Sequence, residues 1–229
     1  MAQKQTEGKE LASSEAIEDY AKAIYALSRR LGGPVGTSEL AARLGVAPAS
    51  ATAMLKRLDG LGLVSYEPYH GVSLTAAGDR LALEVIRHHR LLESYLSEAL
   101  GMPWDQVHEE AEKLEHYISE DLERLIAEKL GEPSHDPHGD PIPGPDLRAP
   151  REEGMPLEEA GEGDTVTFTR VSDSDPAMLR YLSERGILPG VVLKITGRQP
   201  FGGPLLVEVG GREHALGDEL VRRMRVSVK

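Results

Sequence analysis

Two runs in the middle of this chain carry histidines and carboxylates at helical spacing, and that periodicity constrains the fold before anything else does. Residues 89–93 read HRLLE and residues 108–116 read HEEAEKLEH. On a helix His89 and Glu93 stand one turn apart. His108, Glu112 and His116 stack at i, i+4 and i+8, with Glu115 on the same face. Both runs are therefore expected on helices. Their mixture of imidazole and carboxylate is the donor set that a hard or borderline divalent cation takes.

The acidity sits in the same place. Of the net charge of −12, residues 1–75 contribute nothing, with 8 basic and 8 acidic side chains. Residues 76–140 hold 6 basic and 16 acidic side chains and 6 of the 8 histidines. A charge run is usually a solvated helix face, but histidines clustered within one favour a metal. The chain has no cysteine, which excludes disulfides, zinc–thiolate sites and iron–sulfur clusters. No apolar run approaches the roughly 18 residues of a membrane span, and MAQKQTEGKE is no signal peptide. No membrane association and a cytoplasmic location are expected.

Residues 1–12 are polar and expected to be mobile. From Ser13, Ile17, Ala21, Ile24 and Leu27 follow a helical period, and GGPVG at 32–36 stops the helix. Residues 37–61 fit a helix-turn-helix, with a tight turn through Gly45 and a second helix from Pro48. LVSYEP and GVSLT read as a β-hairpin around Tyr69–His70–Gly71. A long amphipathic helix begins after Thr75, Met102–Pro103–Trp104 breaks it, and one or two more helices follow, the last capped at Ser119. A Pro- and Gly-rich coil leads to short strands (VTFTRV, VVLKITGR, LLVEVGG, RMRVSVK) around one helix, PAMLRYLSERG, a pattern that fits a small barrel.

The second helix of the helix-turn-helix opens with small residues, Ala47, Pro48, Ala49, Ser50 and Thr52, which let a helix approach the major groove closely. Arg43, Lys56 and Arg57 are placed for phosphates, and the hairpin makes a wing. An ordinary helical hairpin in a core is the alternative, and the neutral charge of residues 1–75 gives the DNA reading no help.

The chain resembles the diphtheria-toxin-repressor family of metal-dependent transcription regulators from about Ser14 to Gly144, and more weakly through the C-terminal strands. The stretches that carry it are EDYAKAIY, the helix-turn-helix, HRLLE, GMPWDQVHEEAEKLEHYISEDLE and GDPIPG. The resemblance implies a mainly α fold with small β elements. Residues 1–74 would be a winged helix-turn-helix DNA-binding domain and residues 75–144 a helical metal-binding and dimerisation domain. Residues 145–154 would be a linker and residues 155–229 an SH3-like (FeoA-like) β-barrel. It further implies a homodimer that binds a palindromic operator in double-stranded DNA, with a divalent cation tying the N-terminal helix to the dimerisation helices.

Residue by residue, the resemblance places a regulatory site at Asp19, Glu112, Glu115 and His116. It places an ancillary site at His89, Glu93 and His108, completed by Asp173 or Asp175, so that two metals bind per subunit. Iron-responsive relatives carry methionine where Asp19 stands and cysteine where Glu112 stands, whereas manganese-responsive ones carry carboxylates. A site of oxygen and imidazole alone suits Mn(II), with Fe(II) as the alternative. Short manganese regulators have a glutamate three residues after the aspartate. That position is Lys22 here, which favours separated sites over a closely spaced metal pair.

Other readings are plainer. Asp19 by itself is a first-turn acid favoured by the helix dipole. His88 lies about 100° around the helix from His89 and is expected to be exposed. His135 and His138 are expected on the surface, and Trp104 and Tyr117 in the core. Leu83, Ile86, Leu91, Leu92, Leu96 and Leu100 suggest a dimer seam. Enzyme readings fail on spacing: HExxH needs histidine at Glu112, HxxEH fails at the same residue, and a di-iron ExxH motif fails at Lys113. No nucleophile motif is present and no small-molecule substrate is expected. The expected function is a manganese(II)-dependent DNA-binding repressor of metal-uptake genes. An iron(II) regulator of the same fold, or a metalloprotein or metalloenzyme without DNA function, are the alternatives.

Overall fold

The computed structural model describes residues 2–149 and 154–228, with side chains from Ser14 onward. The chain forms two compact units. One holds the residues up to His88 with Pro143–Ala149, and the other holds His89–Ile142 with the residues after 149.

The first unit opens with α1 (Ala2–Leu31). Its helix starts well before Ser13, contrary to the mobile terminus expected. Residues 2–12 contain no proline and are mostly Ala, Gln, Lys and Glu, residues of high helix propensity. Helices α2 (Thr37–Leu44) and α3 (Pro48–Gly60) form the helix-turn-helix. Gly45 makes the turn in the left-handed region, φ 65°, and its N–H closes on the carbonyl of Ala42. Strands β1 (Val64–Glu67) and β2 (Gly71–Leu74) pair antiparallel, and Val35 adds a bridge to Val72, giving the wing. Ile24, Leu27, Val35, Leu40, Leu55, Leu58 and Val72 pack into the core that orients these elements.

Helix α4 (Ala76–Glu98) follows, and Thr75 caps it: the Thr75 Oγ1 accepts from Gly78 N at 3.2 Å and donates to Gly62 O at 2.7 Å. Its residues from His89 belong to the second unit, with α5 (Val107–Leu114) and α6 (Glu120–Leu130). Leu91, Leu92 and Leu96 pack there against Val107, Ala111, Ile126 and Ile142. Ser119 caps α6 as expected, accepting from Leu122 N. After Gly131 the Pro- and Gly-rich coil is ordered, as expected, and folds as a strap: Ile142 N bonds Ser134 O, and Asp136 N bonds Asp140 O.

The C-terminal part is an antiparallel sheet in the order β3 (Met155–Pro156), β8 (Met224–Val228), β4 (Thr165–Val171), β5 (Val192–Arg198), β6 (Leu205–Val209) and β7 (Arg212–Leu216). Bulges after Phe168 and Ile195 bend it into an SH3-like form. Helices α7 (Pro176–Ser183) and α8 (Asp218–Arg223) cover its core, which holds Phe168, Leu179, Leu193 and Val207. Strands β3 and β7 and helix α8 are not legible from apolar periodicity. REHAL buries only its last residue, and DELVRR is too short to show a stripe. Among the described residues no helix is long and apolar enough to cross a membrane.

Several plain expectations are corrected. His138 is fully buried rather than on the surface, because the strap packs it inward. His88 is 8 % exposed, and Tyr117, on the turn after α5, is 65 % exposed. Trp104 is buried, as expected, in the core of the sheet. Leu83, Ile86, Leu91, Leu92 and Leu96 are covered within the chain, so they do not form a dimer seam; of that set only Leu100 is exposed.

Candidate metal centre

Helix α4 presents His89 and Glu93 one turn apart, as their spacing requires, and α5 presents His108 and Glu112. The stack does not continue to His116. Helix α5 ends at Leu114, Glu115 keeps a helical backbone as its C-cap, and His116 lies in the following turn. The potential of that stretch to run on is cut by the turn through Tyr117, whose N–H bonds Leu114 O.

Four side chains converge. His89 Nε2 lies 3.0 Å from Glu93 Oε1 and 3.1 Å from His108 Nδ1. His108 Nδ1 lies 3.2 Å from Glu93 Oε1 and 3.0 Å from Asp173 Oδ2. One donor atom from each of the four falls within 4.8 Å of every other. An octahedral divalent ion with ligands at about 2.1 Å sets neighbouring ligands about 3.0 Å apart, so this donor cage is of the right size. Of the two aspartates in VSDSD, Asp173 faces the cage. Asp175 is instead the N-cap of α7, accepting from Ala177 N and Met178 N, and is withdrawn as a ligand.

Glu93 has a second face that the sequence reading missed. Its Oε2 is buried without a hydrogen-bond partner, as is His138 Nδ1, and the two lie 3.7 Å apart. Asp136 joins them, one donor atom from each within 4.8 Å of the others, all three buried. His138 Nε2 donates to Trp104 O at 2.7 Å, and its ring stacks on the Trp104 indole. That bond leaves Nδ1 as the lone-pair nitrogen when the ring is neutral. Two orphaned polar atoms aimed at each other in a dry pocket are costly unless something sits between them, and a cation fits that need. HDPHGD carries the only available signal: Asp136 and His138 two residues apart, beside a glycine that folds the strap back.

A third convergence is at His89 Nδ1, 2.5 Å from Glu115 Oε2 and 3.9 Å from Glu112 Oε1. His116 Nε2 lies 3.6 Å from Glu115 Oε1. Asp19 stands on α1 in the first unit.

The electrostatics suit a cation. Burial works against the charge on Glu93, but His89, the hydrogen bond from His108 and the nearby His138 imidazole overcome it and hold the carboxyl well below its ordinary range. The hydrogen bond to Asp173, then that to Glu93, raises His108 to about 10. Burial pulls His138 down, but Glu93 and Asp136 outweigh it and raise the imidazole to about 9. Burial, then Glu93 and Asp140, raises Asp136 well above its ordinary value. Positive charge is thus already drawn into the cage as imidazolium protons, which a metal ion displaces on binding.

On the helix-turn-helix, Ala51, Leu55 and Leu58 turn α3 inward. Arg43, Ala47, Pro48, Ala49, Ser50, Lys56 and Arg57 are exposed, and Thr52 is half-buried with its hydroxyl donating to Pro48 O at 2.9 Å.

Comparison with known proteins gives three consecutive family matches. They are the iron dependent repressor N-terminal DNA binding domain over residues 13–72, the iron dependent repressor metal binding and dimerisation domain over 75–144, and the FeoA domain over 155–228. The diphtheria toxin repressor of Corynebacterium jeikeium is 32 % identical over 169 residues, 71 % of this chain and 69 % of that protein. The iron-dependent repressor IdeR of Mycobacterium leprae is 28 % identical over 224 residues, 93 % of this chain and 96 % of that one. A structure described as a manganese-dependent transcriptional repressor in complex with manganese superposes with a TM-score of 0.85 at 39 % identity, covering 93 % of this chain and all of that one. The structure of ScaR with bound Zn2+ gives 0.77 at 31 % identity, over 93 % and 99 % of the two chains.

Proposed function

This chain belongs to the iron-dependent repressor family, that of the diphtheria toxin repressor, and on that premise we propose that it is a manganese(II)-activated repressor of metal-uptake genes. It is a metal-dependent transcriptional repressor, not an enzyme, with a DNA-binding domain and a metal-binding and dimerisation domain.

The observation that carries the choice of metal is the donor set. Every candidate ligand is a carboxylate oxygen or an imidazole nitrogen, and the chain has no thiol. Such a set suits Mn(II), whereas thiolate or thioether favours softer ions. The ancillary group is read as His89, Glu93, His108 and Asp173, with Asp136 and His138 on the other face of Glu93. The regulatory group is read as Glu112, Glu115 and His116 with Asp19, the last taken from the sequence resemblance. A bound cation there supplies the charge that holds these carboxylates together, and it favours the DNA-competent state only through its higher affinity for that state. The protein acts as a homodimer on a palindromic operator, with Ala49, Ser50, Thr52, Lys56 and Arg57 of α3 toward DNA. Arg43 at the end of α2, and Ala47 and Pro48 at the start of α3, flank that face.

An iron(II)-activated regulator is the second reading, favoured by relatives named as iron-dependent repressors. Binding to promoter duplex, titrated with Mn(II), Fe(II), Zn(II) and Co(II) at controlled free-metal levels, separates the two. Metal affinity alone does not, because Mn(II) is the weakest binder of the series. Activation by Fe(II) at lower free concentration than Mn(II) would refute the manganese reading. Metal-independent binding, or none, would refute the regulator.

A further inference from the structure

We propose that His89 couples the two metal-binding groups, so that a cation held by Glu93, His108 and Asp173 organises Glu115 in the neighbouring group. The proposal rests on the metal-regulator reading above and adds an interaction between sites that this reading leaves independent.

The imidazole of His89 faces both ways. Its Nε2 lies in the ancillary cage, 3.0 Å from Glu93 Oε1 and 3.1 Å from His108 Nδ1. Its Nδ1 lies 2.5 Å from Glu115 Oε2. Both His89 and Glu115 are buried, so water does not compete for this contact. A histidine that gives the Nε2 lone pair to a cation carries its proton on Nδ1, and here that N–H donates to Glu115. This is the carboxylate–histidine–metal arrangement, in which the carboxylate raises the basicity of the ring and fixes its orientation. Glu115 is then a positioning residue for a cage to which it contributes no ligand. The cage in return fixes the rotamer of Glu115, leaving Oε1 toward His116. Coupling of this kind is reciprocal, since each site shifts the affinity of the other by the same factor. Glu112, 3.9 Å from His89 Nδ1, is out of hydrogen-bond range and does not serve as the link.

The alternative use of the same atoms is direct ligation, with His89 Nδ1, Glu112 and Glu115 holding an ion of their own. The two arrangements differ in stoichiometry and in which glutamate matters.

The test is calorimetric titration of the full-length metal-free protein with Mn(II), with bound ions counted by electron paramagnetic resonance. His108→Ala identifies the ancillary event by removing it; if no event is lost, the site reading itself fails. Glu115→Gln is expected to weaken the ancillary event by about ten- to a hundredfold, the usual effect of losing such a carboxylate partner. Glu112→Gln, which removes a regulatory ligand but keeps the His89–Glu115 contact, is expected to weaken that event less than Glu115→Gln does. In the reciprocal measurement, His108→Ala weakens the remaining event. If Glu115→Gln does not fold, that reciprocal shift decides the matter. An ancillary affinity unmoved by Glu115→Gln overturns the proposal, and so does a third bound ion lost equally in Glu112→Gln and Glu115→Gln. Histidine nitrogen NMR of the Zn(II)-loaded protein gives a separate readout: a protonated Nδ1 on His89 supports the coupling, and a metal-bound Nδ1 overturns it.

Discussion

Glu93 is the residue on which the centre turns. It is fully buried, and its two oxygens serve different partners, His89 and His108 on one side and His138 on the other. No other carboxylate among the described residues is so enclosed by imidazoles, which explains why it stays ionised against the cost of burial. The protons held on His108 to about 10 and on His138 to about 9 give a directional prediction. Metal binding near neutral pH must expel them, so apparent Mn(II) affinity rises with pH, by about tenfold per unit for each proton released. Titrations at several pH values in a buffer of known ionisation heat check it, and a flat profile contradicts it. In the metal-free protein the raised His108 stabilises the fold fully below its ordinary value of 6.5, and that contribution is lost as pH rises through about 10. The lowered Asp173 contributes above its ordinary 3.8 and is lost on acidification. The melting temperature of the apo-protein should therefore fall toward both ends of that window, and Mn(II) should restore it most on the alkaline side.

Among the elements, the strap at 132–142 does most to shape the site. Asp136 Oδ1 accepts from the N–H groups of His138 and Asp140, at 2.9 Å each, and folds the strap on itself. Arg90 clamps it to α4, donating to Pro141 O at 2.5 Å and to Asp140 at 3.1 Å, while Arg170 on β4 reaches Asp140 at 2.8 Å. Gly139 sits at φ 88°, and a Cβ there would come 1.9 Å from Thr169 O. Gly139→Ala must therefore move the strap off β4, with an expected loss of at least about 2 kcal/mol in chemical denaturation. His138 moves with the strap, so the variant should also bind Mn(II) more weakly. Retained stability and affinity would show that the strap has another way to pack. At α6 the effect is smaller: Ser119→Ala removes the cap on Leu122 N and should cost about 1 kcal/mol.

At the scale of the whole molecule, oligomerisation is where the apolar surface points. Five of the six residues that suggest a dimer seam from sequence are covered within the chain itself. Between residues 89 and 142 the exposed large apolar side chains are Leu100, Leu114, Tyr117, Leu122 and Leu125, on and beside α5 and α6. A homodimer would cover them, and Leu122→Glu or Leu125→Glu should shift sedimentation toward the monomer and weaken operator binding without changing metal affinity. A dimer that survives both variants would place the interface elsewhere. DNA affinity should fall steeply with salt, since Arg43, Lys56 and Arg57 are basic and exposed while the chain is acidic overall.

The sequence by itself determined the helix-turn-helix, the wing, α4 to α6 and most of the strands, because hydrophobic period, caps and glycine turns are local signals. It also determined which residue types could bind a cation and that no thiol could take part. His89 with Glu93, and His108 with Glu112, were legible for the same reason: each pair lies within one or two turns of a single helix. The tertiary structure alone decided that α5 stops before His116, that Asp173 rather than Asp175 faces His108, and that His138 is buried against Glu93. These depend on where a turn ends and on how the strap at 132–142 is pinned between α4 and β4 by Arg90, Arg170 and Gly139. No periodicity in the chain encodes such long-range packing, and it is packing that turns a row of donors into an enclosed centre.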